Sequence, residues 1–484
     1  MARRERPMNL RQVAQLAVAR MGMPIPMAKL VTIQAIGQAL AKVETSQAFA
    51  QALADWASTR ELESECLEAL CPLLVASPSQ EVVALIRKAI NRPSLASDAL
   101  LSIATGAPSL LSSWSGCHSG PAPRFEDVHD ELTSLRAGIF IPPIFNNQFQ
   151  KLQAHTGYPF LTQWAFEYRQ LRSRFGRNGD GVLDYFRGSD RQTGGQFIAR
   201  KGHLARSAFL RTLAFAVDHW EMPMEMASSV AEMAYPAEPI FLRFPPHPAP
   251  AWAAGIHSRE AAEAHDAPAL AKTLIEAIEA ETHGRLMHCS LAVVDEPKIR
   301  VDFEVISISQ AAPNLDANDV FRFYQYLVGE MSPARDELRA FMLSDMDFNG
   351  DFGIGFSPLM LPLVSHHVGY LQADLLGRVP YVPIASKGIP NLELVPTGNQ
   401  AVFRSNGRDV GSWAWWCWNW QPTHPRDQPP LIASSVTLAP DAAIALVNRL
   451  GDKIEQVWRI TMWTRDSDYG EWTESETVGR CKVI

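Results

Sequence analysis

The first hundred residues place apolar side chains every three or four positions, the spacing that lines one face of an α-helix. Breakers interrupt this pattern at the Met23-Pro24-Ile25-Pro26 string and again at Pro78 and Pro93. Since proline removes a backbone donor and stops a helix, these positions divide the stretch into separate elements. The pattern therefore predicts six helices within residues 9–105, with Thr45 or Ser46 as the N-cap of the third.

Pairs of these predicted helices restart near residues 9, 46 and 78, a period in the thirties. On this period and pairing, residues 9–105 resemble a HEAT-type helical repeat array, a likeness that covers about a fifth of the chain. A plain helical bundle explains the same pattern. The resemblance implies a concave face that binds a protein partner.

The next part of the chain mixes helical spacing with irregular stretches. Residues 109–123 are rich in Ser, Gly and Pro and predict a linker. A buried extended run is predicted at 139–145, ended by its prolines. Helices are predicted at 126–135, at 148–174 with an interruption near 157–159, and at 197–219, followed by two short helical pieces.

A second boundary is predicted at residues 236–250, which contain six prolines. Beyond it, alternation of apolar and polar positions becomes frequent, and this alternation predicts strands. The predicted helices are 267–283 (capped by Gly284), 316–329, 333–343 and 440–450. The predicted strands are 286–294, 299–309, 401–404, 410–419, 432–438 and 457–464. No element is predicted for the tail from Asp466, which is acidic and then mixed.

These elements predict an α+β multidomain fold. It consists of an N-terminal all-α helical-repeat-like array, a mixed α/β centre and a β-rich C-terminal part. Four domains are predicted: a helical-repeat-like domain at 1–112, a helical region with a basic Gly-rich loop at 124–235, a mixed α/β domain at 251–395 and a β-rich domain at 396–484.

A basic stretch between Arg169 and Arg211 holds ten Arg or Lys against three Asp, in a chain whose net charge is -8. Because the whole chain is acidic, any affinity for polyanions must come from such a local patch. The candidate anion- or nucleic-acid-binding residues are Arg169, Arg172, Arg174, Arg177, Arg200, Lys201, His203 and Arg211.

Four of the polar residues share one narrow stripe of the helix at 197–219. Arg200, His203, Ser207 and Arg211 fall together at 100° per residue, and apolar residues cover the remaining arc. Broad apolar coverage predicts a buried helix, and a buried guanidinium needs a partner. Carboxylates from a neighbouring element, a bound phosphate or other anion, and a protein-partner surface all satisfy this need.

The string Asp345-Met-Asp347-Phe-Asn349-Gly350-Asp351 follows the start of an EF-hand calcium loop. Position 12 of such a loop is a bidentate Glu, but Phe356 stands there. Asn349-Gly350 also favours a type I′ hairpin turn, whose geometry excludes the calcium loop. A metal site with Asp345 and Asp347 as ligands is the lower-ranked alternative. The nearby pair His366-His367 diverges on any regular element, so both cannot easily bind one metal.

Five tryptophans lie between Trp413 and Trp420. On a strand, Trp416, Trp418 and Trp420 share one face, while Trp413 and Trp415 lie on the other. Aromatic residues on both faces favour a strand buried within a sheet. A stacking platform for bases or sugars is the alternative.

The composition and the absence of known sequence motifs exclude several classes of function. No P-loop, dinucleotide fingerprint, nucleophile elbow, HExxH or kinase motif occurs, so we predict no cofactor. No apolar run is long enough to span a bilayer, so no membrane association is expected. Scattered cysteines favour a reducing cytoplasm, and the excess of Arg over Lys is typical of GC-rich bacterial genomes.

The sequence therefore predicts a cytoplasmic, non-enzymatic interaction or adaptor protein. Its helical array would bind a protein partner, and its basic stretch nucleic-acid phosphate or another anion. The alternative is a metal-dependent hydrolase or nuclease that uses Asp345 and Asp347.

Overall fold

A computed structural model describes the chain in two compact units. The helical unit comprises the described residues up to 243, and the sheet unit comprises those from 244 onwards. The division falls within the proline-rich stretch at 236–250. The described residues are 8–22, 26–75, 78–106, 114–123, 143–176, 200–236, 242, 255–256, 262, 266–309, 311–327, 355–362, 381–383, 389–397, 400–418, 431–451 and 453–482.

The helical unit begins with the six predicted helices. They are α1 (Leu10–Arg20), α2 (Pro26–Ala41), α3 (Val43–Ser58), α4 (Glu63–Val75), α5 (Gln80–Ala89) and α6 (Leu95–Thr105). Side chains of Asn9, Ser79 and Ser94 cap α1, α5 and α6 by accepting hydrogen bonds from the first-turn amides. The predicted cap of α3 is wrong, since α3 begins at Val43 and Thr45 Oγ1 instead donates to the carbonyl oxygen of Ala39 at 2.6 Å.

The described part of this unit contains four further α-helices: α7 (Pro143–Thr156), α8 (Phe160–Phe175), α9 (Arg200–Trp220) and α10 (Met224–Ala231). The extended run predicted at 139–145 is wrong for its last three residues. Proline fits the first turn of a helix, so Pro143 starts α7 rather than ending a strand. Phe145 is fully buried against Trp164 and Phe209.

Helix α9 packs against both α8 and α4, and α10 packs against α6. The two ranges predicted as separate domains, 1–112 and 124–235, thus both contribute to one compact unit. Within the first of these ranges, packing is close at Gly37 of α2, where an added Cβ would lie 2.5 Å from Val75 Cβ of α4. The finer four-domain division stays a prediction.

The sheet unit is built on nine antiparallel strands. Eight follow the order β11-β10-β2-β1-β9-β8-β7-β6, and β3 pairs with β2. The strands are β1 (Arg285–Asp295), β2 (Ile299–Ser309), β3 (Ser357–Pro358), β6 (Leu392–Thr397), β7 (Gln400–Ser405), β8 (Arg408–Trp418), β9 (Leu431–Leu438), β10 (Ile454–Thr464) and β11 (Thr473–Lys482). Strands β4 (Met360–Pro362) and β5 (Tyr381–Pro383) form a separate pair.

Among the described residues, three helices accompany the sheet: α11 (Ala267–Thr282), α12 (Ala317–Leu327) and α13 (Pro440–Leu450). Apolar residues of α11, such as Leu274 and Ile278, join Leu291, Phe303 and Trp416 in one core on one face of the sheet. The predicted cap of α11 is wrong by one residue, because His283 rather than Gly284 adopts the left-handed conformation, at φ 52°.

The strand of tryptophans is buried, as its two-sided aromatic pattern predicts. Trp413, Trp415 and Trp416 are each at most 2% exposed. In β8, Trp416 pairs with Ala433, whereas Trp413 and Trp415 alternate with it on the other face. The structure thus confirms an α+β fold with N-terminal helices, a mixed middle and a C-terminal antiparallel sheet.

Candidate functional site

Arg200, at the start of α9, is bound by carboxylates of the same unit. Its Nη1 lies 2.6 Å from Glu65 Oε1, and its Nη2 lies 2.6 Å from Glu61 Oε2. The guanidinium also donates to the carbonyl oxygen of Phe175 at the end of α8. The side chain is 9% exposed, so this residue fastens α9 to α4 and α8.

Arg211 makes a corresponding contact three turns further along α9. Its Nε and Nη2 both lie 2.8 Å from Glu63 Oε1. The Glu63 side chain is 2% exposed, and charge-assisted hydrogen bonds of this kind compensate the desolvation of both groups. Both arginines of the predicted stripe are thereby paired by the carboxylates of α4 and the residues just before it.

His203 lies between these two arginines on the same stripe. Its Nδ1 is 2.8 Å from Ser64 Oγ, and its Nε2 is 3.6 Å from Glu68 Oε1. Glu68 is held by Lys29 of α2 at 2.5 Å, and both of those side chains are at most 2% exposed. Burial, reinforced by the positive charges of Lys29, Arg206 and Arg200, lowers the pKa of His203 well below its ordinary value. The imidazole is therefore neutral near pH 7.

The eight residues Lys29, Glu61, Glu63, Glu65, Glu68, Arg200, His203 and Arg211 form what we call the charged seam. In this seam Arg200 faces Glu61 and Glu65, His203 lies near Glu68, and Arg211 faces Glu63. Four glutamates within eight residues of a mostly apolar segment were a signal of this pairing in the sequence. These contacts agree with the first of the three alternatives for the stripe, in which carboxylates from a neighbouring element pair with its arginines.

Three of the other basic candidates, Arg169, Arg172 and Arg174, lie in the last two turns of α8. Arg172 and Arg174 are exposed, and Arg174 lies over the Phe175 ring at 4.9 Å. Arg169 is partly buried over Phe166 at 5.8 Å. Lys201 lies in α9, but its side chain is outside the described residues, as are Arg177, Asp345 and Asp347 in full. The two aspartates and their metal site therefore stay a prediction.

Sequence reasoning missed a docked segment at residues 114–123, within the predicted linker. Asp218 of α9 accepts hydrogen bonds from Ser115 Oγ and from the Gly116 amide, at 3.0 and 2.7 Å. His118 Nδ1 accepts from the Gly120 amide, so its Nε2 carries the proton that faces Asp218 Oδ2 at 3.3 Å. Burial lowers the pKa of His118 despite this carboxylate.

Two buried side chains of α8 hold the rest of the docked segment. Glu167 accepts hydrogen bonds from the amide and the hydroxyl of Ser119, both at 2.7 Å. Gln163 accepts from the Ala122 amide and donates to the carbonyl oxygen of Gly120, both at 2.8 Å. Because most of these hydrogen bonds are made by backbone groups of the segment, its side-chain pattern does not predict them. Burial raises the pKa of the Glu167 carboxyl above its ordinary value.

The thiols of this unit are poorly suited to nucleophilic chemistry. Burial raises the pKa of Cys66 to about 12 and also raises the pKa of Cys71 and Cys117. A thiolate is the reactive form of cysteine, so these side chains stay protonated near pH 7. Among the described residues, no cluster of three His, Cys, Asp or Glu has the geometry of a metal site.

Helix α1 exposes apolar side chains to solvent. Leu10, Val13 and Leu16 are 42%, 39% and 61% exposed, while Ala14 and Val18 are buried against the rest of the unit. Steps of 100° place these three residues within about 120° of one another, beside the buried stripe. Arg20 falls between Val13 and Leu16 on the same arc and is also exposed. We call Leu10, Val13, Leu16 and Arg20 the α1 stripe.

The chain was compared with known proteins. No protein-family model matches it, and no curated protein matches it. A search of the described helices for membrane spans finds none that is long and apolar enough to cross a bilayer.

Proposed function

We propose that the helical unit is a protein-interaction module and that the chain acts as an adaptor without catalysis of its own. The observation that carries this proposal is the α1 stripe, whose leucines and valine are exposed although the helix packs on α2 and α3. The end helices of repeat arrays normally present a polar outer face to solvent. An apolar outer face favours burial against a partner.

The partner surface that fits the α1 stripe is an amphipathic helix with acidic flanks. Residues three apart on one helix, such as Leu10, Val13 and Leu16, form a ridge that packs beside a second helix. Helix α1 contains Arg11 and Arg20 and no acidic residue. A partner with Asp or Glu beside its apolar face therefore gains charge complementarity in addition to apolar burial.

The six helices support, as part of this proposal, an array of HEAT type built from the pairs that restart near residues 9, 46 and 78. A reducing compartment such as the cytoplasm suits it, because the cysteines resolved in the described part of the chain are free thiols.

The test compares two variants of the full chain. In Val13→Ser/Leu16→Ser the α1 stripe is made polar, and in Gln12→Ser/Gln15→Ser the exposed polar side of the same helix is altered. Proteins that are cross-linked to the chain in cells are quantified by mass spectrometry, and binding of each recovered candidate is then titrated with purified protein.

The proposal predicts a candidate whose affinity falls by about tenfold or more with the first variant and stays within about twofold with the second, as for a truncated hot spot. If every recovered protein binds both variants equally, the α1 stripe is not a partner surface. Circular dichroism of both variants verifies that α1 is still folded.

A second candidate function, binding of nucleic-acid phosphate, now falls on Arg172 and Arg174. The observation that favours it is their exposure at the end of α8, whereas Arg200 and Arg211 are held by glutamates. Binding of labelled single- and double-stranded nucleic acid at two salt concentrations tests it, with Lys88→Ala as the matched control for Arg172→Ala/Arg174→Ala. Loss of affinity in the arginine variant, with a shallower salt dependence, is expected. No binding at low salt would eliminate this function.

A further inference from the structure

Strand β11 lies at an edge of the sheet. It pairs with β10 over its whole length, from Thr464↔Thr473 to Glu455↔Lys482, and it is the last strand in the strand order. Its residues 473–477 are exposed on both faces of the strand. Within the described part of the chain, no second strand pairs with β11. Such an edge offers a row of backbone N–H and C=O groups to another strand.

The charges of β11 are sorted by sign along one face. Successive side chains of a strand alternate between faces, so residues of even number share one of them. From one end to the other, the described side chains on this face are Glu474, Glu476, Val478 and Arg480. They are two acidic residues, then one apolar residue, then one basic residue. The other face has the small or uncharged residues Thr473, Ser475, Thr477, Gly479 and Cys481.

Two copies of this strand have complementary charges only when they run antiparallel to each other. If two copies of β11 run antiparallel and cross at Val478, Glu476 of each copy faces Arg480 of the other. Glu474 then stands at the position opposite Lys482, and Val478 faces its own copy. Opposite charges placed directly across an antiparallel pair stabilise it, and like charges destabilise it. Parallel pairing in register would instead set each glutamate against itself.

We propose that β11 is a dimerisation strand, which pairs antiparallel with β11 of a second copy of this chain about a two-fold axis at Val478. The interface is isologous, as in most homodimers, and it joins the two sheets edge to edge.

Glu476 and Arg480 of β11 make only loose ion pairs within the described part of the chain. Glu476 lies 3.6 Å from Arg459, and Arg480 lies 3.7 Å from Glu455, separations that are too long for hydrogen bonds. Arg480 also donates to the carbonyl oxygens of Ala312 and Pro313, at 3.2 and 3.4 Å. A guanidinium has five N–H donors, so further donors remain for a carboxylate of the second copy.

Cross-linking tests the proposed register in the full chain. Val478→Cys places a thiol on the axis, and Ser475→Cys places one opposite Cys481 of the other copy. Opposed residues in an antiparallel pair alternate between two spacings, and these two pairs are of different kinds. One of them therefore has the closer approach that a disulfide requires. Thr473→Cys, which has no cysteine opposite it in this register, is the matched control.

We expect mild oxidation to link two chains in at least one of the first two variants and in neither the control nor the unaltered protein. Equal cross-linking of Thr473→Cys, or none in any variant, overturns the register and with it the proposal.

Charge reversal tests the self-complementary pattern independently. Sedimentation equilibrium is expected to give a mass about twice 53.6 kDa for the unaltered chain. Glu476→Arg and Arg480→Glu should each weaken dimerisation by about tenfold or more, because each places like charges opposite one another twice in the dimer. The double variant restores opposite charges and should recover most of the affinity.

Both single variants also remove a contact with Arg459 or Glu455, so thermal unfolding is measured in parallel. A dimer that is insensitive to both reversals uses another surface and overturns the proposal. A chain that is monomeric at high micromolar concentration does so as well, because the charges of β11 then keep this edge unpaired.

Discussion

The helical unit and the sheet unit bury their charges differently. In the helical unit, Lys29 and Glu68 are paired at 1% and 2% exposure in the middle of the charged seam. In the sheet unit, the described ion pairs are more exposed, as for Arg459 and Glu304, whose side chains are 18% and 21% exposed. The core of that unit, between α11 and the sheet, consists of apolar side chains.

This difference shows what each kind of contact can contribute. Burying apolar area stabilises a fold without fixing one register, because apolar contacts have little directionality. A buried ion pair is no more stabilising than an apolar pair of the same shape, but a mispaired partner is strongly destabilising. We infer that the charged seam fixes how α4 and α9 are aligned, whereas strand hydrogen bonds perform this task in the sheet unit.

The largest expected loss of stability comes from removing one partner of the buried Lys29–Glu68 pair in the charged seam. Lys29→Met leaves Glu68 buried without its ammonium partner and should lower the unfolding free energy of the helical unit by about 3–5 kcal/mol. Urea denaturation followed by circular dichroism measures it. Lys29→Met/Glu68→Leu should recover most of the loss.

The matched control for that prediction is Lys272→Met in the sheet unit. Lys272 is 76% exposed and lies 3.8 Å from Glu276, so the change should stay within about 0.5 kcal/mol. Equal losses from the two lysine variants would contradict a special role for buried charge.

A slightly smaller effect is expected in the apolar core of the sheet unit. Leu291 is fully buried against α11, and Leu291→Ala should lower the unfolding free energy of this unit by about 2–5 kcal/mol through lost burial and a cavity. Differential scanning calorimetry measures the shift. Ile444→Ala, at a position 51% exposed, is the control and should change little.

Close packing within the sheet is tested at Gly479 of β11, which stands opposite Trp458 in the register. A Cβ at this position would lie 2.2 Å from Cζ2 of the Trp458 ring. Gly479→Ala should therefore lower stability by about 1–3 kcal/mol, measured by chemical denaturation. Ser475→Ala on the same face is the control. A neutral Gly479→Ala would mean that the Trp458 ring moves aside freely.

The smallest expected effect concerns how the unfolding free energy of the helical unit depends on pH. Folded His203 is neutral, whereas the unfolded chain takes up a proton at this residue below its ordinary pKa of about 6.5. Stability from this residue is complete above that pH and is lost as the pH falls, by about 1.4 kcal/mol per pH unit for one proton.

His203→Gln keeps a hydrogen-bonding group beside Ser64 and should flatten this dependence between pH 7 and 5, as measured by urea denaturation. His155→Gln, at an exposed position on α7, should leave the dependence unchanged. An identical slope in all three proteins would show that other groups cause it.

Most helices and many strands could be predicted because their cause is local. Apolar spacing, caps such as Ser79 and Ser94, and proline or glycine at the ends need no distant partner. The strand β11 escaped prediction because its polar, acidic sequence has no apolar alternation. It forms because β10 runs beside it in register along all ten residues and supplies a ladder of backbone hydrogen bonds on that side.

The candidate site shows the same limit. The sequence identified Arg200, His203 and Arg211 as one stripe that requires partners, since angles along a helix follow from spacing alone. It did not distinguish a bound anion from Glu61, Glu63 and Glu65, because which helix lies opposite depends on long-range packing. The docked segment at 114–123 was not predicted for a related reason. Gln163 and Glu167 bind mainly its backbone groups, which every residue type carries.

The sequence by itself determined most of the helices and many of the strands, the order of an all-α part before a β-rich part, and the burial of the tryptophan strand. These follow from periodicity, which is a property of short stretches. Only the tertiary structure decided which helix pairs the arginine stripe, which segment covers α8, which apolar residues of α1 stay exposed and which strand lies at the sheet edge. Each of those outcomes depends on contacts between residues far apart in the chain, whose geometry no local pattern encodes.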